Sequence, residues 1–268
     1  MICFARYVAV CSLVFVVRSA CWADTGIIVA LDSTLQGFNN SADFNAGIKQ
    51  KAGREFYSGS LGGTKIVLVR SPMGKVNNAI TAQVLLSEFS IDSVYSISPA
   101  GSLVGNLEKG DVVVATTVYQ HDFGSIKPYG FIWSKTPVRN NQEADAYNVL
   151  DRSLVKSVLE VNRSLKIWGN LTEGILVSGD QFIASSDKKK WLMEKFKASA
   201  VDMGGSAIAQ VCYSNKVKCC LIRTITDEAE VEARADFNES VTASSSAPDL
   251  VRMMKEILKS RKEKRGLQ

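Results

Sequence analysis

A layered α/β domain with a mostly parallel central sheet is the fold class this sequence predicts, and three patterns predict it. Short apolar runs of strand length recur along the chain. Segments with apolar residues at helical spacing alternate with them. Turn-forming residues punctuate the junctions. At 46% hydrophobic and 22% charged residues, the composition is that of an ordinary globular chain, long enough to bury one large core or two modest ones. No internal repeat, low-complexity tract or linker divides it, so residues 24–268 read as a single three-layer α/β/α domain with a mixed, mostly parallel sheet.

The elements follow in order. Gly26-Ile-Ile-Val-Ala-Leu31 is an apolar run of buried-strand type. Glu55 to Ser60 and Lys65 to Arg70 flank Leu61-Gly-Gly-Thr64, a hairpin signal. Lys75 to Phe89 carries Val76, Ala79, Ile80, Ala82, Val84 and Leu85 at helical spacing. Ser93 to Ile97, Asp111 to Val118 and Glu173 to Val177 read as strands, and Tyr147 to Val161 and Ser186 to Phe196 as helices. Ala198 to Met203 is a strand running into a small-residue helix, Gly204 to Tyr213. Val217 to Thr226 is a further buried strand, and Leu250 to Lys262 a closing amphipathic helix. The turn-rich, aromatic stretch Gln120 to Ala146 reads as a long loop over one edge.

The N-terminus reads as a leader. Arg6 precedes an apolar run from Tyr7 to Val17, then Arg18-Ser-Ala-Cys-Trp-Ala23, with no acid before Asp24. A basic start, an apolar core of about 7–15 residues and a small residue at the cut describe a secretory signal peptide. The run falls short of the roughly 20 apolar residues of a membrane span. Residues 1–23 are therefore expected to be removed near Ala23 and the protein exported, to a periplasmic or secreted location.

Charge and cysteines exclude several classes. The formal charge is +5, but the basic residues are dispersed, and no basic stripe with interleaved aromatics points to nucleic acid. Three of the six cysteines lie in the leader. The others, Cys212, Cys219 and Cys220, have apolar neighbours and no Cys-x-x-Cys spacing, which reads as buried thiols rather than disulfides or a zinc site. The single histidine, His121, makes a histidine-based metal site or a Ser-His-Asp triad hard to assemble.

In parallel α/β sheets ligands bind beyond the carboxyl ends of the strands. That directs attention to Asp32, Ser98 to Ser102, Met203-Gly204 and Thr226-Asp227. In Cys220-Leu-Ile-Arg-Thr-Ile-Thr-Asp227 an apolar strand delivers an Arg, a Thr and an acid, with Arg223, Ile225 and Asp227 on one face by alternation. This suits an acid at a pocket floor, and equally a strand-end Asp capping the next helix. Ser178-Gly-Asp-Gln-Phe-Ile183 offers an aromatic platform for a planar ligand, or a turn whose Phe merely packs. Ser71-Pro-Met-Gly-Lys75 leads into a helix whose amides suit an anion or a hydroxylated ligand, without full P-loop spacing.

Together these segments resemble a known family. Ser71-Pro-Met-Gly-Lys-Val76, Leu103 to Val113, His121-Asp122, Gly174-Ile-Leu-Val-Ser-Gly-Asp-Gln-Phe-Ile183, Ala200-Val-Asp-Met203 with Ala207-Ile-Ala-Gln-Val211, and Ile222-Arg-Thr-Ile-Thr-Asp227 are similar, in this order, to 5′-methylthioadenosine/S-adenosylhomocysteine nucleosidases. The likeness runs from about Gly26 to the C-terminus; the wider superfamily includes purine and uridine phosphorylases. It implies a nucleoside phosphorylase-like fold, no metal or organic cofactor, and a homodimer in which partner residues close the pocket. It implies that Asp227 is the general acid toward the purine N7, that Phe182 stacks on the base, and that Ile183 reads the base edge through its backbone. Met203 would pack under the ribose, with Arg223 and Thr226 supporting the acid and the pocket. General acid catalysis of this kind is worth roughly 10²–10⁴-fold.

Three positions depart from the family pattern. Thr34 stands in register with a Glu that helps activate water, Gly204 with a Glu that grips the ribose hydroxyls, and Pro99 with a hydroxyl position near the ribose. A buried carboxylate accepting two hydroxyls makes hydrogen bonds worth about 1.5–3 kcal/mol each. Asp32, Asp202, Glu228 and Glu230 are the acids nearest to compensate. The expectation is a purine nucleosidase-like hydrolase acting on the N-glycosidic bond of adenine nucleosides. The alternatives are an exported nucleoside binder without turnover and a phosphate-dependent phosphorylase.

Overall fold

Strand and helix alternation in the computed structural model, which describes residues 24–137, 143–144, 150–243 and 247–266, runs as follows. The first half contains β1 (Asp24–Val29), α1 (Asp32–Asn39), β2 (Ile48–Lys51), β3 (Arg54–Leu61), β4 (Thr64–Arg70), α2 (Lys75–Glu88) and β5 (Ile91–Ser102). Next come β6 (Val112–Gln120), β7 (Gly124–Lys127), β8 (Gly130–Trp133), β9 (Thr136–Pro137), β10 (Glu143–Ala144) and α3 (Arg152–Leu165). The last part is β11 (Leu171–Ser178), α4 (Ser186–Phe196), β12 (Ala200–Asp202), α5 (Gly205–Asn215), β13 (Lys218–Asp227), α6 (Ala233–Ala243) and α7 (Ala247–Gly266). The expected leader, residues 1–23, lies outside the described residues.

Because successive side chains of a strand point to opposite faces, each buried strand feeds two cores. Ile27 and Val29 of β1, Ile66 and Leu68 of β4, and Cys220 and Ile222 of β13 join Phe38, Leu154 and Met254 under α1, α3 and α7. Ile28, Val67, Val69, Cys219 and Leu221 turn the other way, to Leu85 of α2 and Ile208 of α5. The result is the expected three layers. Cys212, Cys219 and Cys220 are buried and unpaired, as their neighbours imply.

The sheet has nine strands in the order β12-β11-β6-β13-β5-β1-β4-β3-β2. Pairings around β1, between β5 and β13, and on both sides of β11 are parallel. Those of β3 with β2 and with β4, and of β6 with β13, are antiparallel. β12 also pairs antiparallel with the end of β5, Val201 opposite Gly101, so one half of the sheet closes on itself. β5 runs on past the expected Ile97 to Ser102, so Pro99 lies within the strand.

Two expectations change. Gln120 to Ala146 is not a plain loop. It contains the β7–β8 hairpin and the short β9–β10 pair, with residues 138–142 and 145–146 outside the described set. Trp133 anchors the hairpin: its Nε1 donates to the Gln120 carbonyl at 2.6 Å, and its ring meets Phe196 edge-on at 5.2 Å. The helix expected from Tyr147 begins at Arg152, capped by the Asp151 carboxylate, which accepts from the amides of Ser153 and Leu154. Residues 147–149 of that expectation lie outside the described set.

Phe38 of α1 is fully buried against α7 residues of the first core. Phe38→Ala is expected to cost about 3–5 kcal/mol of folding free energy, read from the denaturant midpoint. A loss below about 1 kcal/mol would mean that α1 is not packed in this core.

Candidate active site

One cavity of about 480 Å³ opens where the carboxyl ends of the sheet strands converge. β1 delivers Ala30 to Ser33 to its wall, β4 delivers Arg70 and Ser71, and β5 delivers Ser98 to Gly101. β12 contributes Asp202 to Gly205, and β13 contributes Arg223, Thr226 and Asp227. The turn after β11 supplies Gln181, Phe182 and Ile183, and α6 supplies Phe237 and Val241. Every residue expected in the site (Asp227, Phe182, Ile183, Met203, Arg223 and Thr226) lines this one cavity.

Asp227 is 3% exposed. Its Oδ1 accepts from the Ala229 amide at 3.0 Å and its Oδ2 from the Thr226 hydroxyl at 2.9 Å. Burial outweighs these bonds and pushes the carboxyl pKa up. Gly101 makes room for it: a Cβ there would lie 2.6 Å from Asp227 Oδ1. The alternation expected along β13 is interrupted before the acid, because the register against β5 skips a residue between Ile225 and Asp227. Thr226 and Asp227 therefore both reach the cavity, whereas Ile225 packs in the second core.

Arg223 is fully buried and forms an ion pair with Asp202, Nε to Oδ2 at 2.7 Å. Asp202 also accepts from the Ser178 hydroxyl and from the amides of Gly204 and Gly205 at the start of α5. Its oxygens are engaged in this network, so it is not free for the compensating role expected of it beside Gly204. Asp32 opens α1 and lies 2.8 Å from Arg70 Nε, with its side chain largely exposed. Glu228 is exposed and Glu230 pairs with Lys189 at 3.0 Å; neither lines the cavity. Thr34 is buried in α1 and lines a neighbouring cavity of about 340 Å³ instead.

Phe182 is held edge-on by Phe237 at 5.8 Å, and the Arg234 guanidinium lies 3.7 Å from its ring centre. The preceding turn is tied to α2. The Lys75 amide donates to Asp180 Oδ1 at 2.7 Å, the Lys75 ammonium pairs with Asp122 at 2.6 Å, and Asp122 accepts from the Asp180 amide. The α2 terminus is thus occupied by a carboxylate of the protein itself, which replaces the anion site read from Ser71 to Lys75.

Phe237, Asn78 and the Asp202 partnership were not singled out from sequence. Phe237 lies on a helix that carries no clear apolar period. Asn78 left one signal, since asparagine is a poor helix-interior residue and here follows another asparagine on the first turn of α2. Among the described residues, no group of three or more His, Cys, Asp or Glu is placed to hold a metal ion. Nor is any helix there long and apolar enough to cross a membrane.

The sequence pattern of the phosphorylase superfamily matches residues 24–259. The chain is 34% identical over 210 residues to aminodeoxyfutalosine nucleosidase of Helicobacter pylori strain 26695, covering 76% of this chain and 86% of that one. It is 31% identical over 227 residues to the 5′-methylthioadenosine/S-adenosylhomocysteine nucleosidase of Buchnera aphidicola, covering 84% and 86%. Its fold superposes on the corresponding Neisseria meningitidis nucleosidase, solved with methylthio-immucillin-A, with a TM-score of 0.79 at 28% identity, covering 89% and 99%.

His121, beside the Asp122–Asp180 tie, is fully buried and neither ring nitrogen has a hydrogen-bond partner. Burial holds its pKa down to about 4, against the pull of Asp122. The unfolded chain has the ordinary value of about 6.5 and so binds more protons below it. His121 therefore lends stability that is complete above pH ~6.5 and is lost as pH falls toward 4. His121→Leu should shrink the fall in denaturant midpoint between pH 6.5 and 5, above the range of the lowered carboxylates. An undiminished slope would assign the pH dependence to other groups.

Proposed function

The chain belongs to the phosphorylase superfamily, within its 5′-methylthioadenosine/S-adenosylhomocysteine nucleosidase family, and on that premise we propose that it hydrolyses the N-glycosidic bond of adenine nucleosides in the strand-end cavity. The observation that carries this reading is Asp227, a buried acid with a raised pKa, fixed by two hydrogen bonds beside an anchored aromatic ring. As the bond to C1′ breaks, its electron pair passes to the purine and positive charge spreads over the ribose. Proton donation from Asp227 to N7 keeps the leaving base neutral, and water adds at C1′ and releases a proton. Phe182 stacks on the base, Ile183 reads its edge and Met203 packs under the sugar. Thr226 orients the acid, and Arg223 holds the floor through Asp202. Only the protonated acid acts, so base release falls as pH rises through its raised pKa.

The second reading is a nucleoside-binding protein without turnover. One observation favours it: apart from Asp227, the carboxylates lining the cavity are Asp32, paired with Arg70, and Asp202, paired with Arg223. The mature protein should be incubated with methylthioadenosine, S-adenosylhomocysteine, adenosine and inosine, with and without phosphate, and free base quantified. Hydrolysis predicts release without phosphate, reduced at least about 10²-fold in Asp227→Asn, a near-isosteric change whose melting temperature checks that the fold is kept. Saturable binding with no release supports the binder, and a phosphate requirement supports a phosphorylase.

Export and a homodimer belong to the same proposal. Export is supported by the apolar run before Asp24. Self-association is supported by the apolar surface of the hairpin, where Ile126 and Tyr129 are 79% and 78% exposed. Native mass spectrometry of the exported protein is expected to give twice the mass of a chain beginning near Asp24. A mass equal to one chain, or one that retains residues 1–23, would overturn the corresponding half.

A further inference from the structure

The sugar side of the cavity carries a side chain that the mechanism above does not use. Asn78, half-buried on the first turn of α2, faces Gly204 across the wall, and both line the cavity. A Cβ on Gly204 would lie 2.3 Å from Asn78 Nδ2 and 2.5 Å from its Cγ. The amide thus fills the space that any side chain at Gly204 would need. Nδ2 donates to the carbonyls of Pro72 at 3.2 Å and Gly74 at 2.9 Å. Two carbonyl partners fix the orientation of the amide, since only its nitrogen donates. Among the described residues Oδ1 accepts no hydrogen bond. With Asp32 and Asp202 held by arginines, the acceptors next to Met203 and Gly204 are neutral.

We propose that Asn78 is a sugar-binding residue whose neutral amide lets this pocket take 2′-deoxyribosyl as well as ribosyl adenine nucleosides. The inference rests on the nucleoside reading of the cavity. A carboxylate that accepts both hydroxyls of a ribose diol is left with an unsatisfied charge when one hydroxyl is missing, so it rejects deoxyribose steeply. The Asn78 amide offers one neutral acceptor oxygen in place of a charged pair, so a missing hydroxyl leaves no charge unpaired. Discrimination between the two sugars is then shallow.

The test measures calorimetric binding of adenosine and 2′-deoxyadenosine to the uncleaving Asp227→Asn protein, together with base release from both by the unaltered protein. The two nucleosides are expected to differ by no more than about tenfold in each readout. Asn78→Ala, made in the Asp227→Asn protein, should weaken adenosine binding about five- to tenfold, measured at a temperature where both proteins are fully folded. Adding Gly204→Glu to Asn78→Ala, which vacates the space a glutamate needs, should widen the preference for the riboside to about a hundredfold. A preference above about a hundredfold in the unaltered pocket, or an Asn78→Ala variant that binds adenosine as before, overturns the inference while the nucleoside reading stands. Failure of both nucleosides to bind overturns both.

Discussion

The site is built on the buried ion pair between Arg223 and Asp202. It joins the centre of β13 to the end of β12, draws in Ser178 from β11, and receives the amides that open α5. A negative charge at a helix start is favourable, and here it also meets a buried cation at 2.7 Å. Taking away one partner would leave an unpaired buried charge, at about 3–5 kcal/mol, so the two residues can change only together. Gly205 belongs to the same unit, because a Cβ there would sit 2.6 Å from Arg223 Nη2 and 2.8 Å from Asp202 Oδ2. Once this unit is in place, the backbone beyond Asp202 must turn past the cavity, which puts Met203 and Gly204 on its wall.

The same burial serves Asp227 in the opposite sense. Arg223 and Asp202 face one another as a buried ion pair, whereas Asp227 has no cation within ion-pair distance among the described residues and is pushed toward its protonated form. Two carboxylates at strand ends on one cavity thus differ because one has a cation as partner and the other has hydrogen-bond donors alone. The first ties the floor together, and the second lines the cavity as a buried acid.

Much of this was legible in the sequence because strands and their ends leave short-range marks. The apolar runs at Gly26, Ser93 and Val217, the Gly-Gly hairpin and the acid at Asp227 each depend on local pattern, and each was placed within a few residues. What escaped depends on long-range geometry. The β7–β8 hairpin is made of short, largely exposed strands and is held by Trp133 docked on Phe196. The register skip before Asp227 arises from pairing with β5, which no local pattern reveals. The neighbourhood of Asn78 and Gly204 brings together residues far apart in the chain. Read singly, one is a poor helix former and the other a helix-start glycine, and only the fold shows that they share one space.

β13 lies in the middle of the sheet, with β6 on one side and β5 on the other, although it is among the last strands in the chain. Its Lys218 must find Ser93, far upstream, and its Ile222 must find Val114. Pairings between such distant segments are slow, because the intervening chain has to be ordered before they are rewarded. Until residues 218–227 arrive, β5 and β6 present open edges to each other's neighbours and to other chains. Neither the buried ion pair nor the acid of the site exists before that strand is inserted. The centre of the sheet is thus closed by the chain's last strand, and a chain without that strand would leave both edges open to aggregation.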